Sequence, residues 1–155
     1  MDRIRIRGGR DLSGSVRVSG SKNGALPILA ASLMIDGPMV LRNMPRLKDV
    51  ENMLRILGKL GVVHSWRHSD GYVTLSGRPT GGVTFLGGNM GSTVLGTANV
   101  LMAATLGTGT TYLECAAMEP EMEDLCNFLN ACGARISGIG GHLLTIEGVD
   151  TLHGC

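Results

Sequence analysis

A chain of 155 residues with 43% hydrophobic content is long enough for one good core, or for two small repeats that share one. Aromatic residues make up 3% against 24 glycines, which leaves little to stack on bases and argues against single-stranded nucleic acid as the main partner. The net charge of +1 conceals an asymmetry, because residues 1–76 carry +6 and residues 77–155 carry −5; the first half would draw in anions, or the two halves attract each other.

Residues 3–7 alternate strictly, which puts Ile4 and Ile6 on one face of an expected edge strand and three arginines on the other. Residues 15–19 alternate again and lead into Ser19-Gly-Ser-Lys-Asn-Gly-Ala-Leu-Pro27. This small-residue loop opens a helix that runs to about Ile35 and is ended by Asp36-Gly-Pro38. Ser19 or Ser21 is the expected cap, and Pro27 is expected near the first turn, where its missing N–H costs little. Lys22 is badly placed for a bare helix, since its charge meets the positive end of the dipole; a bound phosphate or carboxylate would relieve the repulsion. A solvated lysine on a tight turn is the alternative.

A short strand follows at residues 39–43. Residues 48–60 then place Val50, Met53, Leu54, Leu57 and Leu60 on one helical stripe, closed by Gly61. Residues 62–66 and 72–75 make a hairpin across His68-Ser-Asp-Gly71. After the turn-rich joint at 77–82 the same order begins again, with a strand at 83–86 and a second small-residue loop, Gly87-Gly-Asn-Met-Gly-Ser92. An alanine-rich helix from about Thr93 to Leu106, a strand at 110–114, and a helix after Pro120 carrying Met122, Leu125, Cys126, Leu129 and Cys132 come next. Gly133 closes that helix, and residues 135–139 and 143–147 form the last hairpin.

The halves match in sequence as well as in pattern. Leu57-Gly-Lys-Leu-Gly61 lies over Leu129-Asn-Ala-Cys-Gly133 at an offset of 72 residues, and Ala30-Ala-Ser-Leu33 over Ala103-Ala-Thr-Leu106 at 73. Each half therefore reads β-α-β-α-β-β, with one repeat at about 13–76 and the other at about 82–148 inside a single domain spanning 1–155. Right-handed crossovers put both helices of a repeat on one face of its sheet. The expected fold class is α/β (α+β), an inside-out domain with helices packed between sheets.

Several other groups have plainer readings than chemistry. His64, Trp66 and His68 share a strand face, which suits a solvated hairpin end better than a metal site, and no metal is expected. Glu119, Glu121, Glu123 and Asp124 sit at a helix start as dipole partners. The nine methionines serve as packing material. Cys115, Cys126, Cys132 and Cys155 form no C-x-x-C pair and read as reduced thiols. No apolar run reaches the ~18 residues of a membrane span and no signal-peptide core follows the charged start, so the cytoplasm is the expected compartment.

Ser19-Gly-Ser-Lys-Asn-Gly-Ala-Leu-Pro27, Asn43-Met-Pro-Arg-Leu-Lys-Asp-Val50 and Ala116-Ala-Met-Glu-Pro-Glu121 with Asn127-Phe-Leu129 resemble the enolpyruvyl transferase family. The nearest likeness is to its members that act on UDP-N-acetylglucosamine, and it covers nearly the whole chain in two blocks. The resemblance implies a two-domain enzyme built from β-α-β-α-β-β units, three per domain, with the active site between domains. It further implies transfer of the enolpyruvyl group of phosphoenolpyruvate to the 3-hydroxyl of the UDP-sugar, a step of peptidoglycan precursor synthesis, with phosphate released and no cofactor required. By match to the family's motifs, Lys22 would contact phosphoenolpyruvate and Asn23 the UDP-sugar. Asn89, Met90 and Gly91 resemble the loop whose backbone holds the uridine nucleotide, although the family often has serine where Asn89 stands.

Two units stand where the family's domain holds three, and the chain stops at Gly148-Val-Asp-Thr-Leu-His-Gly-Cys155, where the second domain would begin. The family's mobile loop, with its reactive cysteine and substrate-binding arginines, has no counterpart. Cys115 is flanked as a strand residue and does not replace that nucleophile, and the family's general-base aspartate would lie in the second domain. The expected consequences are no turnover by this chain alone and self-association through uncovered helix surface. Two other classes stay open. One is a non-catalytic folding module. The other is an RNA-binding protein like the RNA 3′-phosphate cyclases or a translation initiation factor domain, for which a sustained basic stripe is missing.

Overall fold

Helix α2 (Lys48–Lys59) shows most directly how local sequence builds this chain. Val50, Met53, Leu54 and Leu57 recur at helical spacing and all are buried. Asp49 and Glu51 in the first turn and Lys59 in the last complement the dipole. Gly61, at φ 94°, then turns the chain in a left-handed conformation that favours glycine. Helix α4 (Pro120–Ala131) is made the same way: Pro120 opens it, Met122, Cys126 and Leu129 are buried, and Gly133 at φ 99° follows its end. This computed structural model describes every residue except Met1, Asp2, Arg10, Asp36 and Met90.

Helices α1 (Lys22–Ala31) and α3 (Val94–Thr105) are richer in small residues. α1 buries Ala25, Leu26, Leu29 and Ala30 and continues as a 3₁₀ turn over Ser32–Met34. Ser21 caps it, accepting from the Gly24 N–H at 3.1 Å. Pro27 lies inside the helix, a turn beyond the position expected from sequence. Its missing N–H removes the bond to the Asn23 carbonyl that a residue at this position would make. α3 buries three polar residues that bond back to their own helix: Thr97 to the Thr93 carbonyl, Asn99 to Leu95 and Thr105 to Leu101, at 2.7 to 2.9 Å.

Strands β1 (Met39–Leu41), β2 (Val63–Arg67) and β3 (Tyr72–Ser76) form an antiparallel sheet in the order β1-β3-β2. Strands β4 (Gly82–Phe85), β7 (Thr110–Glu114), β8 (Arg135–Ser137) and β9 (Leu143–Glu147) form the second, in the order β4-β7-β9-β8. Its β4–β7 pair is parallel and the others antiparallel. β5 (Gly87–Gly88) and β6 (Gly91–Ser92) make a two-stranded ribbon where sequence suggested a plain loop. One face of each sheet is buried, through Val73 and Leu75 in β3 and Leu113, Leu144 and Ile146 in β7 and β9, and a single core joins them to all four helices. α1 packs on α2 and α3, and α3 packs on α4, β7 and β9. The helices therefore lie inside and the sheets outside, the inside-out arrangement expected.

The sequence offset of 72 residues recurs in one backbone feature. Asn43 and Cys115, 72 residues apart, both have positive φ (58° and 55°). The residue after each donates to a hairpin carbonyl: Met44 to Gly71 at 3.0 Å and Ala116 to His142 at 2.9 Å. The second half keeps the full β-α-β-α-β-β order and the first does not. Residues 3–7 and 15–19, expected as strands, are exposed and irregular, with Ile4 at 90% and Val16 at 86% exposure. Alternation marks a face that could be buried, but no element covers these valines and isoleucines. The neighbouring sheet edge, β1, is three residues long.

Leu57 is fully buried, so Leu57→Ala is expected to cost about 2–5 kcal/mol, read as a lower urea midpoint. Val63→Ala, on the exposed face of β2, is expected to change stability by less than about 0.5 kcal/mol.

Candidate functional site

A cleft of about 610 Å³ opens between the first-half helices and the start of α3. Lys22, Asp49 and Asn52 line one wall above an apolar floor that includes Leu26, Met53 and Ile56. The β5–β6 ribbon, with Gly87, Asn89 and Gly91, and the turn Thr93 to Gly96 line the other. Lys22 is the first residue of α1, Asp49 the second of α2, and Thr93 the N-cap of α3. Three helices thus present their positive ends to one space. The Thr93 hydroxyl accepts from the Gly96 N–H at 3.2 Å. The N–H groups of Val94 and Leu95 fall in the first turn, where no carbonyl of their own helix can reach them.

The ammonium of Lys22 lies 2.8 Å from the Asp49 carboxylate, with both side chains about half exposed (44% and 48%). Sequence alone left Lys22 between relief by a bound anion and plain solvation; in the structure Asp49, on the next helix, pairs with it. An exposed pair of this kind is worth only about 0–1 kcal/mol, so a multiply charged anion competes with Asp49 for Lys22 at little cost. Asp49 is the one carboxylate among the described lining residues, and it pairs with Lys22.

Of the residues singled out by sequence, Lys22, Asn89 and Gly91 meet at this cleft. Asn23 is exposed, follows Lys22 in α1 and is not among the lining residues. Met90 lies outside the described residues. The structure adds Asp49, Asn52, Thr93 and Asn99. Asn99 is 3% exposed; its Nδ2 donates to the Leu95 carbonyl at 2.7 Å, while its buried Oδ1 has no partner among the described residues. A buried acceptor left unpaired costs about 1–3 kcal/mol, which a ligand N–H or a water in the cleft would recover. The available signal was an amide inside the apolar run Ala98-Asn-Val-Leu101.

Trp66 stacks on His68 with ring centroids 4.5 Å apart, and His64 lies against Gly58 of α2. Among the described residues there is no group of three or more His, Cys, Asp or Glu placed to hold a metal. The Arg67 guanidinium, bonded to Asp70 at 2.8 and 2.9 Å, holds the Asp70 carboxyl below the usual carboxylate range and ties the β2–β3 turn. Among the described residues no helix is long and apolar enough to cross a membrane.

The family model for EPSP synthase (3-phosphoshikimate 1-carboxyvinyltransferase) matches residues 6–84 and 72–155. The UDP-N-acetylglucosamine 1-carboxyvinyltransferase of Dichelobacter nodosus (strain VCS1703A) is 35% identical, covering 100% of this chain and 54% of its own length. The protein of the same name from Methylacidiphilum infernorum (isolate V4) is 36% identical, with coverage of 100% and 54%. The chain thus spans about half the length of the curated relatives it matches. The first of these alignments runs over 225 positions against 155 residues here, so about 70 positions of the relative have no counterpart, close to the repeat offset of 72. Among solved structures, the enolpyruvyl transferase NikO from Streptomyces tendae superimposes with a TM-score of 0.69 at 24% identity, covering 84% of this chain and 31% of that one. EPSP synthase from Acinetobacter baumannii gives 0.59 at 20% identity, with coverage of 92% and 33%. Both share the fold of helices enclosed by sheets. With matches along its whole length and that fold in common, the chain belongs to the EPSP synthase family of enolpyruvyl transferases.

Proposed function

We propose that this chain carries the sugar-nucleotide-holding part of an enzyme that transfers enolpyruvyl from phosphoenolpyruvate to UDP-N-acetylglucosamine in the cytoplasm, and that the 155 residues alone do not turn over. The observation that carries this reading is the opening of three helix N-termini, with Lys22 among them, on one cleft. Two phosphates of a nucleotide sugar fit that field: one against the start of α3 and the glycine ribbon, the other close enough to draw Lys22 from Asp49. Asn99 Oδ1 at the base of the cleft would accept from an N–H of the ligand.

Transfer requires a base for the sugar hydroxyl and an acid for the methylene carbon of phosphoenolpyruvate. Loss of such a group costs ~10²-fold to 10⁴-fold, and loss of substrate positioning costs more. In this reading both groups come from parts of the relatives that the 155 residues do not span, so the chain binds without chemistry.

Titration of backbone amides with UDP-N-acetylglucosamine, and separately with inorganic phosphate, is expected to move signals at residues 21–25, 49–52 and 87–99. Shifts with RNA only would replace this reading with a nucleic-acid one, and no shifts at all would leave a bare folding module. Lys22→Ala is expected to weaken phosphate binding about 10-fold or more, as for a charge-assisted hydrogen bond. Asp49→Asn is expected to tighten it severalfold by freeing Lys22. Phosphate release from phosphoenolpyruvate that depends on the UDP-sugar is expected to stay at background; its detection would overturn the claim that this chain lacks turnover.

A further inference from the structure

We infer that Cys132 and Cys155 form a thiol–disulfide exchange site that reacts with low-molecular-weight disulfides and, once oxidised, staples residues 148–155 to the end of α4. The two sulfurs lie 3.4 Å apart as free thiols. A disulfide needs about 2.05 Å, which small side-chain rotations at the exposed Cys155 can supply.

The backbone already holds the partners together. The His153 N–H donates to the Cys132 carbonyl at 2.9 Å, and the His153 ring lies against Gly133. Leu152 packs on the core, and Arg78 donates to the Asp150 carbonyl at 3.0 Å. Because the segment is docked before any covalent bond forms, little further ordering opposes ring closure, and the effective concentration of one thiol at the other is high. Cys115 and Cys126 are free thiols on β7's exit and in mid-α4, and Cys126 is buried.

Exposure sets the order of steps. The exposed Cys155 thiolate attacks one sulfur of the small disulfide, forming a mixed disulfide and expelling one small thiolate. Cys132, largely buried, then gives its proton to solvent, and its sulfur attacks the Cys155 sulfur, expelling the second small thiolate. Two protein thiols lose two protons and two electrons, and the small disulfide becomes two thiols. The hydrogen bond to Cys155, and then burial, push the Cys132 thiol up. Ring closure should therefore be slow near neutrality and faster as pH rises.

The test uses the reduced 155-residue protein and oxidised glutathione. Thiols counted after denaturation should fall from four to two, with Cys132 and Cys155 recovered in one linked peptide pair from a monomer. Amide exchange over residues 148–155 should slow. Cys132→Ser should stop at a stable glutathione adduct on Cys155. Cys155→Ser, a change at an exposed position that leaves the core intact, should keep its three thiols. A lasting adduct on Cys155 of the unaltered protein, a dimer joined through Cys155, or four surviving thiols would each overturn the proposal.

Discussion

The parallel pairing of β4 with β7 is the constraint on which the rest of the second half depends. A parallel pair cannot be closed by a tight turn, so the chain must leave β4, return along the far side as α3, and enter β7 in the same direction. That route fixes the start of α3 beyond the carboxyl end of β4, the place where open α/β sheets hold ligands. The glycine ribbon bridges strand and helix there, and a Cβ at Gly87 would press on the Phe85 ring and the Cys115 sulfur. α4 is tied to the same end, because the Ala117 N–H donates to the Thr97 hydroxyl of α3 at 3.0 Å.

The first half reaches the same place by different means. Among the described residues it has no parallel strand pair, and the start of α1 is positioned by the Ser21 cap and by the Gly20 N–H bonded to the Asn43 carbonyl at 3.1 Å. A side chain at Gly20 would collide with that carbonyl, so the approach needs glycine. α1 then packs on both α2 and α3. Burial of small and branched residues between these helices brings three N-termini to one cleft, where each dipole alone is a modest term and their convergence makes a field. The Lys22–Asp49 pair moderates that field rather than cancelling it. A weak exposed pair keeps the lysine placed without making its release costly.

The chain spans about half the length of its curated relatives, and the first alignment runs about 70 positions longer than these 155 residues. The family's fold is present in these 155 residues because the sheets and helices of both halves share one core.

Much of the fold was legible in the residues. The α2 stripe, the closing glycines Gly61 and Gly133, both hairpins and the offset of 72 residues are local or periodic, so a linear string records them. Lys22 was singled out by its place at a helix start, Asn89 and Gly91 through a family resemblance, and all three line one cleft. Tertiary structure alone decided the rest. Residues 15–19 alternate as cleanly as β9, but β9 lies between two strands over a core and residues 15–19 have neither. Asp49 answers Lys22, Asn99 lines the cleft and Cys132 touches Cys155 only because helices docked across the repeat and the chain's end folded back. Sequence thus determined which faces could be buried and which turns could form; which groups became neighbours was set by packing, since contacts between distant residues are written in no local pattern.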